Sequence, residues 1–257
     1  MDLIIISATA LIASLLTFFT GFGLGTILTP VFVIFFPVDI AIALTGIVHL
    51  LNNIFKLVLV GKEADKKVAL RFGVPAIIGA FIGAELMIRL SGFSPFFSYQ
   101  LFNKEFFIFP IKIIIAILMI FFALMEIIPM LKEIKFDSNK LYIGGILSGF
   151  FGGLSGHQGA LRSSFLLKAG LNKEAFVATG VIIACLVDLT RLSVYFSKFL
   201  SVGLSDKIHY LVVAILSAFI GAYFGKKLLK KSTLNLVQFL VSVFIIVLAL
   251  LLGAGII

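Results

Sequence analysis

Four polar side chains crowd into one glycine-rich stretch of an otherwise apolar chain. Gly152 to Arg162 reads G-G-L-S-G-H-Q-G-A-L-R, which places Ser155, His157, Gln158 and Arg162 around Gly156 and Gly159. A weaker echo, T-G-F-G-L-G-T from Thr20 to Thr26, offers Gly23, Gly25 and Thr26. Each break separates two apolar helical runs, so the second run of each pair begins there. A helix start presents unpaired N–H groups and a positive dipole end, and glycine lets an anion approach that backbone closely. The chemistry these residues suit is reversible binding of a small negative solute. Gly23, Gly25, Thr26, Gly156, Gln158 and Gly159 would supply backbone or neutral donors, and His157 and Arg162 charge or directed hydrogen bonds. Close helix packing is the bland reading of the same glycines; polar crowding speaks against it at the second break.

Other polar residues fall inside apolar runs, where they are costly unless they face a cavity or a partner. His49 and Asn53, four apart, share a helix face, and Asp188 and Arg191, three apart, can pair with each other. For Arg162 the partner is either a solute anion or Asp188. Lys56 stands one turn from a loop, where snorkelling to the interface is expected. Glu85, Lys112 and Glu126 lie toward helix ends and read as interfacial. G-L-S-G from Gly153 to Gly156 also matches the serine motif of rhomboid intramembrane proteases. That reading needs a His base from another helix, and His209 lies at a helix start without the small residues such an approach requires. The three His are scattered without metal-ligand spacing and no phosphate loop is present, so no cofactor or metal is expected.

Apolar stretches of about 20 residues, the length that crosses hydrocarbon, recur through the 257 residues, which are 61% hydrophobic and 13% charged. The expected fold is an all-α polytopic membrane protein bathed in lipid, with no polar segment long enough for a soluble domain. The formal net charge of +9 sits in short loops beside helix ends, a topology signal rather than a nucleic-acid surface. Cys185 lies inside an apolar run and reads as a buried structural thiol. Met1-Asp2 opens without a basic stretch, which predicts a retained first helix that starts outside.

The spacing predicts helices over residues 3–19, 26–36, 40–60, 72–90 and 106–130, a linker at 132–140, then 141–155, 160–169, 175–196, 208–224 and 234–257. Residues 1–131 and 141–257 repeat one plan around the cytoplasmic linker 132–140. A-F-I-G-A occurs at Ala80–Ala84 and Ala218–Ala222, T-G at Thr45 and Thr179, and N-x-x-K from Asn53 answers D-x-x-R from Asp188. If both broken segments cross fully, 9 basic loop residues face 8; if both dip in and return, 13 face 4. The second arrangement obeys the positive-inside rule. It gives two re-entrant hairpins, six crossings, both termini outside and two halves inverted about a midplane site.

The stretches Thr20–Pro30 and Phe151–Arg162, with T-G-V-I-I-A-C-L-V-D at Thr179–Asp188, resemble the sulfite exporter TauE/SafE family of integral membrane transporters. Leu24 interrupts the first glycine motif, and Ser164 stands where the second copy would match Pro30. The resemblance implies transport of small sulfur-containing anions, sulfite or an organosulfonate, across the cell membrane. The site expected from the residues and the resemblance together is Gly23, Gly25, Thr26, His49, Asn53, Ser155, Gly156, His157, Gln158, Gly159, Arg162, Asp188 and Arg191. A proton or sodium ion is the candidate coupling partner, with His49, His157 or Asp188 carrying it. An intramembrane hydrolase using Ser155 and a passive anion channel are the rival classes.

Overall fold

The computed structural model describes residues 1–17, 23–132, 134–202, 207–228 and 235–257. The helices are α1 (Asp2–Leu16), α2 (Leu24–Phe35), α3 (Val38–Val60), α4 (Lys66–Ser91), α5 (Pro110–Ile127), α6 (Pro129–Lys132), α7 (Leu141–Ser155), α8 (Gly159–Leu166), α9 (Lys173–Val202), α10 (Ile208–Leu228) and α11 (Asn235–Gly253). Among the described residues five helices, α3, α4, α5, α9 and α10, are long and apolar enough to cross a membrane. Helices α1 and α2 are apolar but shorter, as is the stretch Phe239–Gly253. Exposed Phe81, Ile117, Leu189, Leu216 and Val247 line the outside of these helices. In water such a surface would aggregate; in a bilayer it meets acyl chains.

One expected element is replaced. Residues 106–108, assigned to a helix by sequence, lie in a strand, and the helix starts at Pro110. Strands β1 (Phe97–Leu101) and β2 (Lys104–Ile108) pair antiparallel. Phe102 and Asn103 turn between them with φ of 51° and 58°, the left-handed pair that a two-residue hairpin requires. Pro110 sets the boundary, since its fixed φ suits a first helical position and it has no N–H to leave unpaired. At the other end of the preceding crossing, α4 starts earlier than expected, at Lys66, because Asp65 caps it by accepting from the Val68 N–H at 2.9 Å.

Glycine sets the closest packing. A Cβ at Gly79 or Gly83 of α4 would collide with the carbonyls of Ile146 and Phe150 of α7, and one at Gly145, Gly149 or Gly153 of α7 with those of Phe72, Ala76 and Ala80. Both sets rise together in number, so α4 and α7 run in the same direction with their backbones in contact, as small residues permit in membrane bundles. The α1–α10 contact has the same character: Ser217 meets Ser7 at 3.2 Å, and a Cβ at Gly221 would strike the Leu11 carbonyl. These two also run in one direction.

Further contacts fix the remaining directions. Phe36, just ahead of α3, packs edge-on against Tyr210 at the start of α10, and Lys226 near its end donates to the Leu59 carbonyl at 2.8 Å. Helix α3 therefore runs with α10. It runs against α9, since Gly46 abuts Arg191 while His49 bonds Asp188. Helices α5 and α11 are likewise opposed, with Ala116 beside Gly253 and Lys112 bonded to the Ile257 carbonyl. One end of the molecule gathers Lys62, Glu63, Glu174, Lys226 and Lys227 around a cavity of about 430 Å³. A smaller cavity of about 270 Å³, lined by residues 33–38, Lys112 and Ile257, lies at the other end.

Candidate functional site

The second glycine break is a tight reversal. Helix α7 ends at Ser155, and Gly156 takes φ 81°, a left-handed conformation glycine adopts without Cβ strain, while its N–H closes on the Gly152 carbonyl at 3.0 Å. Helix α8 then starts at Gly159 behind Gln158. Of the first break, Phe18 to Phe22 lie outside the described residues; Gly23 is extended and leads into α2, with Thr26 N–H on its carbonyl at 3.0 Å. The two breaks touch. A Cβ at Gly25 would stand 3.1 Å from the Gly156 carbonyl, and one at Gly23 3.5 Å from Nε2 of His49.

Around that contact a buried polar chain converges on one carboxylate. Asp188 Oδ2 is 2.5 Å from Nδ1 of His49 and accepts from Asn53 at 3.4 Å. Its Oδ1 receives Arg191 Nε at 3.0 Å, with Nη2 at 2.8 Å, and Gln158 Nε2 at 3.4 Å. Arg191 reaches on to the Gly152 carbonyl, and Arg162 Nη1 donates to Gln158 Oε1 at 3.4 Å. His49, Asn53, Gln158, Asp188 and Arg191 are all buried. Desolvating a charge costs several kcal/mol unless pairing and hydrogen bonds offset it, and Asp188 receives both. Its position near the middle of α9, opposite the middle of α3, is where water is hardest to recruit.

Two hydroxyls beside the break are unspent. Thr29 Oγ1 lies 3.6 Å from where a Gly156 Cβ would stand, and Thr45 packs against Gly25; neither hydroxyl finds a hydrogen-bond partner among the described residues. A buried hydroxyl without a partner costs about 1–3 kcal/mol. A guest that accepts hydrogen bonds would remove that cost.

The remaining expected residues divide. Ser155 gives its hydrogen to the Phe151 carbonyl at 3.0 Å, and His157 Nδ1 lies 3.0 Å from the Ser155 carbonyl and 3.1 Å from its Oγ. The His157 ring stacks on Phe122 of α5, with centroids 5.8 Å apart and planes 7° apart. These two residues therefore form a cluster against α5, with their own contacts distinct from those of Asp188. Lys56 is corrected: it does not snorkel but is 4% exposed and donates to Thr17 at the end of α1. Glu126, read as interfacial, is also buried. Thr29, Thr45 and Tyr195 were not singled out from sequence. Tyr195, whose hydroxyl donates to the Gly153 carbonyl, follows Arg191 by four residues, a spacing that could have flagged it. Cys185 is a buried free thiol, as expected. Among the described residues no cluster of His, Cys, Asp or Glu could hold a metal ion.

The family model described as Sulfite exporter TauE/SafE matches residues 6–252. No curated protein and no solved structure matches the chain.

Proposed function

The chain belongs to the sulfite exporter TauE/SafE family, and we propose that it is a secondary transporter that carries a small sulfur-containing oxyanion through a site between its two glycine breaks. The observation that carries this reading is the Gly25–Gly156 contact, with the Thr29 and Thr45 hydroxyls unpartnered beside it among the described residues and a buried polar network behind it. Helix starts and hydroxyls can all donate to an oxyanion, and every one of these donors sits deep inside the helical bundle. The site's other members in this proposal are Gly23, Thr26, His49, Asn53, Gln158, Gly159, Arg162, Asp188 and Arg191, with Ser155 and His157 at its α5 edge.

The transport cycle we propose is a rocking of two inverted halves about this midplane site. Helix directions support it: α3 and α5 oppose α9 and α11, and each half's first helix packs on the other half's fourth. In this proposal α1 and α2 form a hairpin that dips in and returns, as do α7 and α8. The basic loops then face the cytoplasm, both termini face outward, and the membrane is the cell membrane. His49 and Asp188, in contact at the site, are the proposed carriers of a coupling proton; a sodium ion on Asp188 is the variant of that idea.

Uptake of radiolabelled sulfite into proteoliposomes tests the reading. Arg162→Ala is expected to lower uptake by about tenfold or more, the effect of losing about 1.4 kcal/mol of anion stabilisation. Unchanged uptake and affinity in that variant would remove Arg162 from the site, and an absence of sulfite counterflow in the wild type would remove carrier transport itself.

A further inference from the structure

The connection between α4 and α5 is apolar where a loop ending in water would be polar. Phe93, Phe96, Phe97, Leu101 and Phe102 are all exposed, the last of them at 90%. Side chains alternate along a strand, and that alternation sorts the hairpin into two faces. Phe97, Tyr99 and Leu101 of β1 share one face, with Ile108, Phe106 and Lys104 of β2 across from them. The rings of Phe97, Tyr99 and Phe106 stack in a row there, with centroids 6.5 and 5.4 Å apart. The opposite face carries Ser98, Gln100 and Glu105, with Phe107 as its apolar member at the base.

The hairpin does not stand up from the bundle. The Tyr99 hydroxyl donates to the Ala254 carbonyl at 2.7 Å, and a Cβ at Gly255 would strike the Phe107 carbonyl. Gly253, just before them, lies beside Ala116 in the second turn of α5. The strands are thus laid across the end of α11, level with the first turns of α5. Tyr99 makes its contact from the aromatic face, so that face is turned toward the helix ends and Ser98 and Gln100 away from them. Three residues further on, about 10 Å along the strand, Leu101 and Phe102 stand exposed past the Ala254 contact. The approach from α4 has the same character. Ile78, Ile82 and Leu86 are exposed at four-residue spacing, and Phe93 follows seven residues on, its N–H on the Leu90 carbonyl at 3.3 Å continuing the helical turn.

We infer that the hairpin is an interfacial anchor: its aromatic face, with Leu101 and Phe102, lies at the boundary between headgroups and acyl chains in the leaflet at the Lys112 end of the molecule. Continuity favours lipid over a second copy of the chain as the occupant, because the exposed stripe of α4 that meets acyl chains leads through Phe93 and Phe96 directly into Phe97. An element with one aromatic and one polar face binds in the plane of the interface, its apolar side buried and its polar side in water. Two exposed cations flank the aromatic cluster, Lys104 across from Leu101 and Arg89 in the last turn of α4. Their stems are long enough to lie along apolar groups while their charges reach lipid phosphates. Through Tyr99 and Ala254 the anchor holds the end of α11, and through Pro110 the start of α5, at a fixed depth in the bilayer.

The chain contains no tryptophan, so a single one introduced into the full-length protein reports its own depth. Phe102→Trp and Gln100→Trp, each reconstituted into phosphatidylcholine vesicles, are read by fluorescence quenching with iodide present on both sides and with lipid brominated near the headgroup end of its acyl chains. Phe102→Trp is expected to emit to the blue of Gln100→Trp, to be quenched by the brominated lipid, and to be several-fold less accessible to iodide. Leu101→Trp, on the same face, should behave as Phe102→Trp does, and takes its place if the turn does not accept the larger ring. Iodide quenching of the tip with no effect of brominated lipid puts it in water and overturns the anchor. Shielding of the tip from both quenchers means that protein covers it, a second copy of the chain, and overturns lipid as the occupant. Equal quenching of Gln100→Trp and Phe102→Trp by brominated lipid overturns the one-faced seating.

Discussion

Asp188 and His49, on opposed helices and 139 positions apart in the chain, meet at 2.5 Å in the middle of the bundle. The same carboxylate holds Arg191 on its other oxygen. It thus ties α3 to α9, and is the group that would have to be re-satisfied if those helices moved apart. Truncating one member of a buried ion pair typically costs about 3–5 kcal/mol, because the other is left uncompensated. Asp188→Ala is therefore expected to fail to yield a monodisperse folded protein. Asp188→Asn, which keeps the shape and can still accept from Arg191, should fold with a lower melting midpoint. Fluorescence-detected size exclusion against temperature reads both; a wild-type midpoint for Asp188→Ala would show that the pair contributes nothing to folding.

The interface between α4 and α7 makes a second, purely steric prediction. A Cβ at Gly149 would overlap the Ala76 carbonyl, and backbone cannot give way as a side chain can. Gly149→Ala should therefore destabilise by about 1–3 kcal/mol, read as a lower thermal midpoint in detergent. Gly61→Ala is the control, because a Cβ there meets nothing closer than 3.6 Å and its midpoint should stay unchanged.

At the break itself, two glycines are needed for different reasons. Gly156 has φ 81°, and a Cβ there would also stand 2.9 Å from Arg191 Nη1. Gly25 is helical, and its Cβ would press on the Gly156 carbonyl. Gly156→Ala carries a left-handed strain of about 1–2 kcal/mol and should lose both stability and sulfite flux. Gly25→Ala should keep its fold and lose flux. Equal flux in Gly25→Ala and wild type, measured in proteoliposomes, would show that the contact between the breaks has no part in transport.

The helices were legible because each signal is local. Runs of apolar residues bounded by Pro37 and Gly61 mark α3 whatever packs on it, whereas the Asp65 cap that starts α4 at Lys66 was read as part of a charged loop. The hairpin at 97–108 was missed because aromatic residues in F-F-I read equally well as a helix start, and only Pro110 and the Phe102-Asn103 turn decide the matter. The contacts of the candidate site were partly legible. His49 with Asn53 and Asp188 with Arg191 declared themselves by spacing, since three and four residues bring helical side chains together. Thr29 and Thr45 did not, because a threonine inside an apolar helix usually bonds its own backbone. Lys56 was misjudged for a related reason. Its distance from the loop suggested an escape to the interface, but Thr17 reaches it from α1, and no spacing within α3 could reveal that.

Topology provides the last prediction. Helix α1 runs with α10, from Ser7 beside Ser217 to Leu11 beside Gly221, and α2 ends at Phe35, with Phe36 on Tyr210 at the start of that same α10. If α1 and α2 enter and leave on one side, Asp2 and Asp39 share a compartment, while Lys140 and Lys173 share the opposite one. With Cys185 replaced by serine, single cysteines at these four positions can be labelled in sealed, oriented vesicles by a membrane-impermeant maleimide. Asp2→Cys and Asp39→Cys should react from the outside without lysis, and Lys140→Cys and Lys173→Cys only after it. A helix of 15 residues rises only about 22 Å, short of the hydrocarbon thickness of about 30 Å, which is why α1 alone is expected to stop short of the far side. Opposite sidedness for Asp2 and Asp39 would mean that α1 and α2 together make one crossing, and the Gly25–Gly156 contact would then join two loops between spans instead of two returning tips.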